Sequence, residues 1–211
     1  ELETDPTIRA AAPILAEAAA RIACPQIRNR ATVGGNLCNA SPAADTAVPL
    51  LLLDAILEVA SSRSGGIATR AIPIAGFFRG PGSTVLEPGE VLTGVRFQPL
   101  PAGSFWAWEK FGTRPAMEIA VASVGVVLHR VEGRVVGARV AYGSVAPVPL
   151  RGRKAESVLV GQPLSDKFID RCVTAAREEI SPITDLRASA GYRREIVGVL
   201  LRRMLENAAS C

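Results

Sequence analysis

Residues 26–45 read QIRNRATVGGNLCNASPAAD, and the paired glycines Gly34 and Gly35 stand near the centre of this stretch. Glycine lets backbone amides approach an anion with no Cβ in the way, and it tolerates the φ > 0 turns that point successive N–H groups inward. Thr32 and Asn36 place side-chain donors on either side of the pair. Residue chemistry alone therefore makes this stretch a candidate phosphate cradle.

The flanks of the same stretch are charged. Asp45 supplies a carboxylate suited to a sugar hydroxyl, the role that an acidic residue plays in many dinucleotide sites. Arg28 and Arg30 precede the glycines. The other interpretation is an ordinary tight turn between a helix and a strand, with both arginines solvated, because short motifs also match by chance. The residues by themselves leave both interpretations open.

The composition is that of a soluble globular protein. The chain has 211 residues, of which 48% are hydrophobic, 21% charged and 5% aromatic, enough for one large domain or two small ones. No apolar run approaches the roughly 20 residues that span a bilayer. The acidic start, Glu1 to Asp5, is unlike a signal peptide, and the cysteines are interpreted as reduced, so we expect a cytoplasmic protein.

Potential metal ligands and nucleophiles are few and far apart. The cysteines at positions 24, 38, 172 and 211 form no CxxC motif, and His129 is the single histidine. We therefore expect no metal site. There is no Ser/His/Asp arrangement and no P-loop lysine pattern either, so hydrolase and NTPase functions are excluded and no catalytic residue is assigned.

The net charge of +4 comes mostly from scattered basic residues with few aromatic residues between them. Proteins that bind single-stranded nucleic acid interleave basic and aromatic side chains, so we expect no nucleic-acid partner. A basic surface that docks an acidic partner subunit fits this charge distribution at least as well.

The hydrophobic periodicity predicts an α+β protein. A composition break at residues 99–103 marks the best domain boundary. The predicted helices cover residues 6–22, 46–53, 155–159, 166–180 and 189–208. The predicted strands cover residues 55–59 and 68–74 as a hairpin, then 91–97, 105–111, 119–129 and 133–140, and residues 142–149 are predicted to run from a strand into a turn.

Residues 25–45 match the pattern R-N-x-[AG]-[ST]-[IV]-G-G-N-[LI] followed by N-A-S-P-x-x-D. Further matches are L-x-P-x-E-V-L at residues 86–92, W-x-K-x-x-x-R at residues 108–114 and Y-G-x-V-A-P-x-P-x-R at residues 142–151. In these motifs the chain resembles the FAD-binding (medium) subunit of the molybdenum-containing hydroxylases. That family includes the medium chain of carbon monoxide dehydrogenase and the flavin domain of xanthine dehydrogenase.

The resemblance implies a two-part architecture. Residues 1–98 would form the second subdomain of a two-part flavin-binding domain. Residues 104–211 would form a C-terminal domain, a three-stranded antiparallel sheet with a helical bundle. Family members also carry an N-terminal subdomain with a second glycine-rich loop on the pyrophosphate, and nothing here matches it. We therefore expect an incomplete FAD site in this chain.

The resemblance also implies a set of FAD-binding residues. In the family, the glycine motif holds the pyrophosphate, the polar positions after it contact the ribose or ribityl chain, and apolar and basic positions elsewhere face the ring systems. The matching positions are Ile22, Thr32, Val33, Gly34, Gly35, Asn36, Asn39, Asp45, Leu92 and Lys110.

The implied function is electron transfer within a complex. A [2Fe-2S] cluster in a small subunit and molybdopterin in a large subunit would belong to partner chains, and FAD would pass electrons to an external acceptor. A dimer of heterotrimers is one assembly that the resemblance allows. The alternative is a non-catalytic scaffold that bridges the partner subunits without retaining flavin.

Overall fold

The computed structural model describes residues 1–63, 66–114 and 117–211. The helices are α1 (Pro6–Ala11), α2 (Pro13–Ala20), α3 (Pro25–Arg28), α4 (Val33–Cys38), α5 (Ala47–Leu52), α6 (Arg153–Leu159), α7 (Asp166–Glu179) and α8 (Ala190–Ser210). The strands are β1 (Ile56–Arg63), β2 (Gly66–Pro73), β3 (Phe78–Gly80), β4 (Ser83–Thr84), β5 (Glu90–Arg96), β6 (Phe105–Phe111), β7 (Ala122–Val131), β8 (Arg134–Gly143) and β9 (Leu150–Arg151).

The first half of the chain builds short helices and a three-stranded antiparallel sheet of order β2-β1-β5. The predicted hairpin is confirmed, with Leu57 opposite Ile72 in β1 and β2. Its predicted turn falls partly on residues 64 and 65, which lie outside the described residues. Strands β3 and β4 form a separate two-stranded ribbon.

The prediction of a single helix over residues 6–22 is wrong, because the structure has two helices there. Ala12 interrupts it, with φ −146° and ψ 62°, and α2 ends at Ala20. The residue before a proline is pushed out of the helical region, and proline lacks the N–H that a continuing helix needs. Pro13 therefore ends α1 and becomes the first residue of α2.

The second half contains an antiparallel sheet of order β6-β7-β8-β9. The prediction of three strands is corrected to four within the described residues, because β9 pairs with the end of β8 through Ala141–Arg151 and Tyr142–Leu150. Two residues are too few for any alternation of polar and apolar side chains, so the sequence pattern did not reveal this strand.

This sheet separates two hydrophobic cores. Successive side chains of a strand point to opposite faces. Accordingly, Val126 packs with α6, α7 and α8, whereas its neighbour Val127 belongs to the core that contains α2 and α5. Trp108 of β6 also lies in the α5 core. The sheet thus packs against elements that precede residues 99–103 in the chain and against elements that follow them. The division into residues 1–98 and 104–211 stays a prediction.

Helix α5 lies very close to the sheet because the facing strand positions carry glycine. A Cβ built on Gly125 would lie 2.6 Å from Leu52 Cδ1 and 3.1 Å from Val48 Cγ1. A Cβ on Gly143 would lie 3.1 Å from Val48 Cγ2. Both α5 side chains are fully buried, so they have little room to move away.

The first prediction concerns this contact. Gly125→Ala should lower the free energy of unfolding by about 1–3 kcal/mol, because the added methyl overpacks the α5 face. Gly191→Ala is the matched control, since nothing lies within 4 Å of its Cβ position in α8, and it should be neutral or slightly stabilising. Urea unfolding of both variants checks this. Equal stabilities for the two would contradict the close-contact explanation.

Helix α8 is joined to the sheet through a buried arginine. Arg193 is 3% exposed, and its Nη1 donates to the carbonyl oxygens of Val121, at 2.5 Å, and Ser144, at 2.9 Å. Its Nη2 donates to Asp185 Oδ1 at 2.8 Å. Burial opposes ionisation of Asp185, but hydrogen bonds from the Arg187 amide, from Arg193 and from another backbone amide outweigh it and lower the pKa of Asp185 to about 2.

The second prediction follows from this pKa. A carboxylate whose pKa is lowered in the folded state stabilises the fold above its unfolded pKa and loses that contribution as the pH falls through the folded pKa. Asp185→Asn should therefore lower stability most above the ordinary pKa of 3.8, and its difference from the parent should shrink as the pH falls towards 2. Urea unfolding at several pH values checks this. A difference that does not change with pH would contradict it.

No helix in the described part of the chain combines the length and the apolar character that crossing a membrane requires.

Candidate functional site

A cleft of about 620 Å³ opens beside the glycine motif, and we call it the polar cleft because most of the residues that line it are polar or charged. Its walls come from the first residues of the chain, the end of α2, the segment that connects α3 to α4, and the start of α5. Of the predicted FAD-binding residues, those that line it are Ile22, Thr32, Val33 and Asn36. Thr46 and the basic pair Arg28 and Arg30 also line it.

The two central glycines are helical, so they do not use the φ > 0 conformations that glycine tolerates. Gly34 and Gly35 lie in the first turn of α4 and are absent from the positive-φ residues. Thr32 is the N-cap in an extended conformation, and its Oγ1 accepts from the Gly35 N–H at 2.9 Å. The amides of Val33 and Gly34 then remain as helix N–H groups with no intrahelical acceptor.

Side chains larger than glycine would disturb this turn. A Cβ on Gly35 would lie 3.0 Å from Thr32 Oγ1, the cap acceptor. A Cβ on Gly34 would lie 3.8 Å from Leu92 Cδ2, which is ordinary contact but occupies space beside that side chain. The glycines therefore leave room for Leu92 and for the Thr32 cap, and they adopt an ordinary helical backbone conformation.

A second cleft of about 300 Å³ lies on the other side of Val33 and is mostly apolar. Gly34 and Leu92 line it, together with buried or half-buried side chains of α2, α5 and β5 such as Leu15, Leu50 and Val95. Leu2 and Val33 line both clefts. A polar cleft and an apolar cleft thus meet along one edge.

Asp45 and Lys110 form a buried ion pair away from the lining of both clefts. Asp45 Oδ2 accepts from Lys110 Nζ at 2.7 Å, and the two side chains are only 11% and 4% exposed. Lys110 Nζ also donates to the carbonyl oxygen of Arg21 at 3.2 Å. Burial raises the pKa of Asp45, while the hydrogen bond and charge of Lys110 act in the opposite direction.

One oxygen of this pair has no partner. Asp45 Oδ1 is buried and accepts no hydrogen bond from any described residue. A buried carboxylate oxygen is costly to leave unpaired, and a hydroxyl donor from a ligand would satisfy it. Asn39, the remaining predicted residue, is the exposed C-cap of α4 and lines neither cleft.

The basic residues of the polar cleft differ in their partners. Arg28 Nε lies 2.7 Å from Glu3 Oε2, and its Nη1 donates to the Ile22 carbonyl oxygen at 2.9 Å. Arg30 is exposed, and the described residues offer it no ion pair. Arg30 is therefore the cation that remains available to an anionic ligand.

Comparison with known proteins identifies the family of this chain. A family model described as "FAD binding domain in molybdopterin dehydrogenase" matches residues 1–101. A second, "CO dehydrogenase flavoprotein C-terminal domain", matches residues 106–208. The xanthine dehydrogenase FAD-binding subunit of Escherichia coli O157:H7 is 35% identical over 201 residues, which cover 94% of this chain and 67% of the relative.

The chain is a FAD-binding subunit of the molybdenum hydroxylase family.

Other members of the family support this membership. The carbon monoxide dehydrogenase medium chain of Hydrogenophaga pseudoflava is 34% identical over 211 residues, or 99% of this chain and 71% of the relative. The solved carbon monoxide dehydrogenase from the same organism superposes with a TM-score of 0.91 over 97% of this chain and 70% of the other. Quinoline 2-oxidoreductase from Pseudomonas putida 86 gives 0.88 at 30% identity, over 99% of this chain and 71% of the other. The predicted family and fold are confirmed.

The chain therefore carries the FAD-binding domain of an oxidoreductase family, which confirms the predicted enzyme class and the predicted cofactor of the family. The residues present fit FAD. The α4 turn has no Cβ at two successive positions, an apolar cleft adjoins a polar one, and a buried Asp45 oxygen lacks a donor. FAD itself combines flat aromatic rings, whose faces pack against apolar side chains, with an anionic pyrophosphate and with hydroxyl groups.

The sequence reasoning missed Thr46. This residue is 2% exposed, and its hydroxyl donates to Asn36 Oδ1 at 2.6 Å while the residue lines the polar cleft. Its position directly after Asp45 was the available signal, because a threonine at the start of a helix often bonds a nearby polar group. The pairing with a residue ten positions earlier required the fold.

The third prediction tests the glycine turn. Gly35→Ala should weaken FAD binding about fivefold, because its Cβ displaces the Thr32 hydroxyl at the cleft. Stability should change little, since alanine favours a helix while the cap is weakened. Gly76→Ala is the control, because its Cβ would meet nothing within 4 Å and it lies outside both clefts. FAD titration and thermal unfolding check this in a polypeptide that also carries the N-terminal FAD subdomain of the family, here called the complete subunit, and equal flavin affinity in both variants would refute it.

Proposed function

We propose that this chain is the electron-transfer flavoprotein subunit of a molybdopterin-dependent hydroxylase or dehydrogenase, with FAD held across the two clefts. In such a subunit FAD supplies the redox chemistry, taking electrons from a [2Fe-2S] cluster in a small subunit and passing them to an external acceptor. The residues of this chain bind and orient the cofactor. The single observation that carries the proposal is the meeting of the polar and apolar clefts at Val33, beside the α4 turn.

The α4 turn would bind the pyrophosphate. The Val33 and Gly34 amides lack intrahelical acceptors, and Thr32 and Asn36 add side-chain polar groups at the polar cleft. Arg30 adds a positive charge at the same cleft. Hydrogen-bond donors and a cation favour a pyrophosphate at this opening, which Glu1 and Glu3 also line.

The apolar cleft would hold a ring system. Leu92 and Val33 present apolar surface there, and Phe97 adds an aromatic wall. A flat ring that covers these side chains removes apolar area from water, which is favourable by about 25 cal/mol per Å². Ile22 would cover a further apolar part of the cofactor from the polar cleft.

Asp45, Lys110 and Asn39 would act at the sugar or ribityl chain. The unpaired Asp45 Oδ1 would accept from a ligand hydroxyl that reaches beyond the two clefts, and Lys110 fixes the carboxylate through its other oxygen. Asn39 is exposed at the other end of α4, outside the lining of both clefts. We propose these contacts from the matching motif positions and from the unpaired oxygen.

The proposed partners are a large molybdopterin subunit and a small [2Fe-2S] subunit, and the assembly would allow a dimer of heterotrimers. The medium-chain name of the carbon monoxide dehydrogenase relatives supports a multi-chain complex. The cytoplasmic location, predicted in part from reduced cysteines, stays a prediction.

The scaffold function remains the competing hypothesis, and FAD titration of the purified chain separates the two. Saturable binding with flavin absorbance that co-elutes with the protein supports the flavoprotein. If the chain and the complete subunit retain no flavin with FAD in excess, the electron-transfer function fails and the scaffold is left.

The fourth prediction tests whether the positive charge of Arg30 at the polar cleft contributes to FAD binding. Arg30→Gln should raise the Kd for FAD about two- to fivefold, since an exposed charge contributes up to about 1 kcal/mol, and it should reduce the salt dependence of binding. Arg9→Gln, an exposed arginine of α1 outside both clefts, is the matched control. Isothermal titration at two salt concentrations measures both variants. An identical loss of FAD affinity in the two variants would show that only the net charge of the protein matters, and not the position of Arg30.

A further inference from the structure

A hydrogen bond connects a buried threonine with an asparagine of the polar cleft. The Thr46 hydroxyl donates to Asn36 Oδ1 at 2.6 Å. Thr46 is 2% exposed, whereas Asn36 is half-buried, and both line the cleft. Asn36 therefore has a fixed contact on one side and the cleft on the other.

This bond determines which end of the asparagine carboxamide remains available. The carboxamide is planar, with an acceptor oxygen at one end and an NH₂ donor at the other. Because Thr46 occupies the oxygen, the Nδ2 group is the end left for a ligand. A phosphate oxygen accepts hydrogen bonds, so it is complementary to Nδ2 and would be repelled by Oδ1.

Thr46 itself is held in place by the surrounding structure. It is the N-cap residue of α5, and its carbonyl oxygen accepts from the Leu50 N–H at 3.2 Å. Its neighbour Asp45 is anchored by the buried contact with Lys110. The hydroxyl thus comes from a rigid part of the core, while Asn36 comes from the short helix α4.

We propose that Thr46 is a positioning residue for FAD: its hydroxyl holds the Asn36 carboxamide so that Nδ2 donates to an oxygen of the FAD pyrophosphate. This inference rests on the proposed function, because it needs the cofactor at the polar cleft. It assigns Thr46 a role through Asn36, without direct contact between Thr46 and the cofactor.

The test compares two substitutions of similar size, and this is the fifth prediction. Thr46→Val removes the hydroxyl with little change of shape, and it should raise the Kd for FAD about five- to tenfold. Thr46→Ser keeps the hydroxyl and should stay within about twofold of the parent. FAD titration of the complete subunit measures the affinities. Thermal unfolding confirms that each variant is folded.

A double substitution shows whether the effect passes through Asn36. Asn36→Ala should weaken FAD binding by itself, and adding Thr46→Val to it should cause no further loss, because the group that Thr46 positions is gone. Losses that multiply in the double variant would overturn the proposal. So would a Thr46→Val affinity equal to that of the parent.

A measurement without FAD separates this inference from the proposed function. In the free protein, the Asn36 side-chain NH₂ signals in a two-dimensional NMR spectrum should shift in Thr46→Val and keep their positions in Thr46→Ser. Unchanged signals in Thr46→Val overturn the positioning role even where FAD binds. If the NMR shift occurs but the parent binds no FAD, the hydrogen bond between Thr46 and Asn36 is supported. The proposed function and the role of this bond in cofactor binding are then both refuted.

Discussion

The close approach of α5 to the sheet is the constraint on which the remaining structure depends. Gly125 and Gly143 leave no Cβ beneath the helix, so Val48 and Leu52 reach the backbone of the strands. Packing at this density leaves a core side chain little freedom to shift. Because α5 begins with Thr46 at the polar cleft, the same contact fixes one wall of the candidate FAD site.

Polar contacts extend this constraint to the cofactor-binding residues. Asp45 and Lys110 join the end of the glycine-rich segment to β6 through a buried ion pair. Removing one partner of such a pair leaves an uncompensated buried charge, so the two residues depend on each other. Thr46, the next residue, contacts Asn36 and thereby orients a side chain of the short helix α4. A rigid core thus controls a polar cleft whose own helix is only six residues long.

Much of the architecture was predictable because its periodic patterns are strong. The β1–β2 hairpin, the strands β5 to β8 and helices α7 and α8 follow alternating or helical hydrophobic patterns, and the structure contains all of them. Strand β9 and the break at Ala12 were missed, since one is two residues long and the other follows from a single proline inside an alanine-rich stretch. The motif left the conformation of the glycine pair open, and the pair lies in a helix because Thr32 caps its N-terminus.

The sequence by itself determined the family, the cofactor class and the segment that carries the glycine motif, because these depend on residue identity and local spacing. Only the tertiary structure decided which residues meet. It brought Thr46 to Asn36, ten residues apart in the chain, and Lys110 to Asp45, which are 65 residues apart. It also placed Leu92 and Ile22 in two different clefts that share Val33. Such contacts depend on how helices and strands pack across the sheet, and local sequence patterns do not encode that packing.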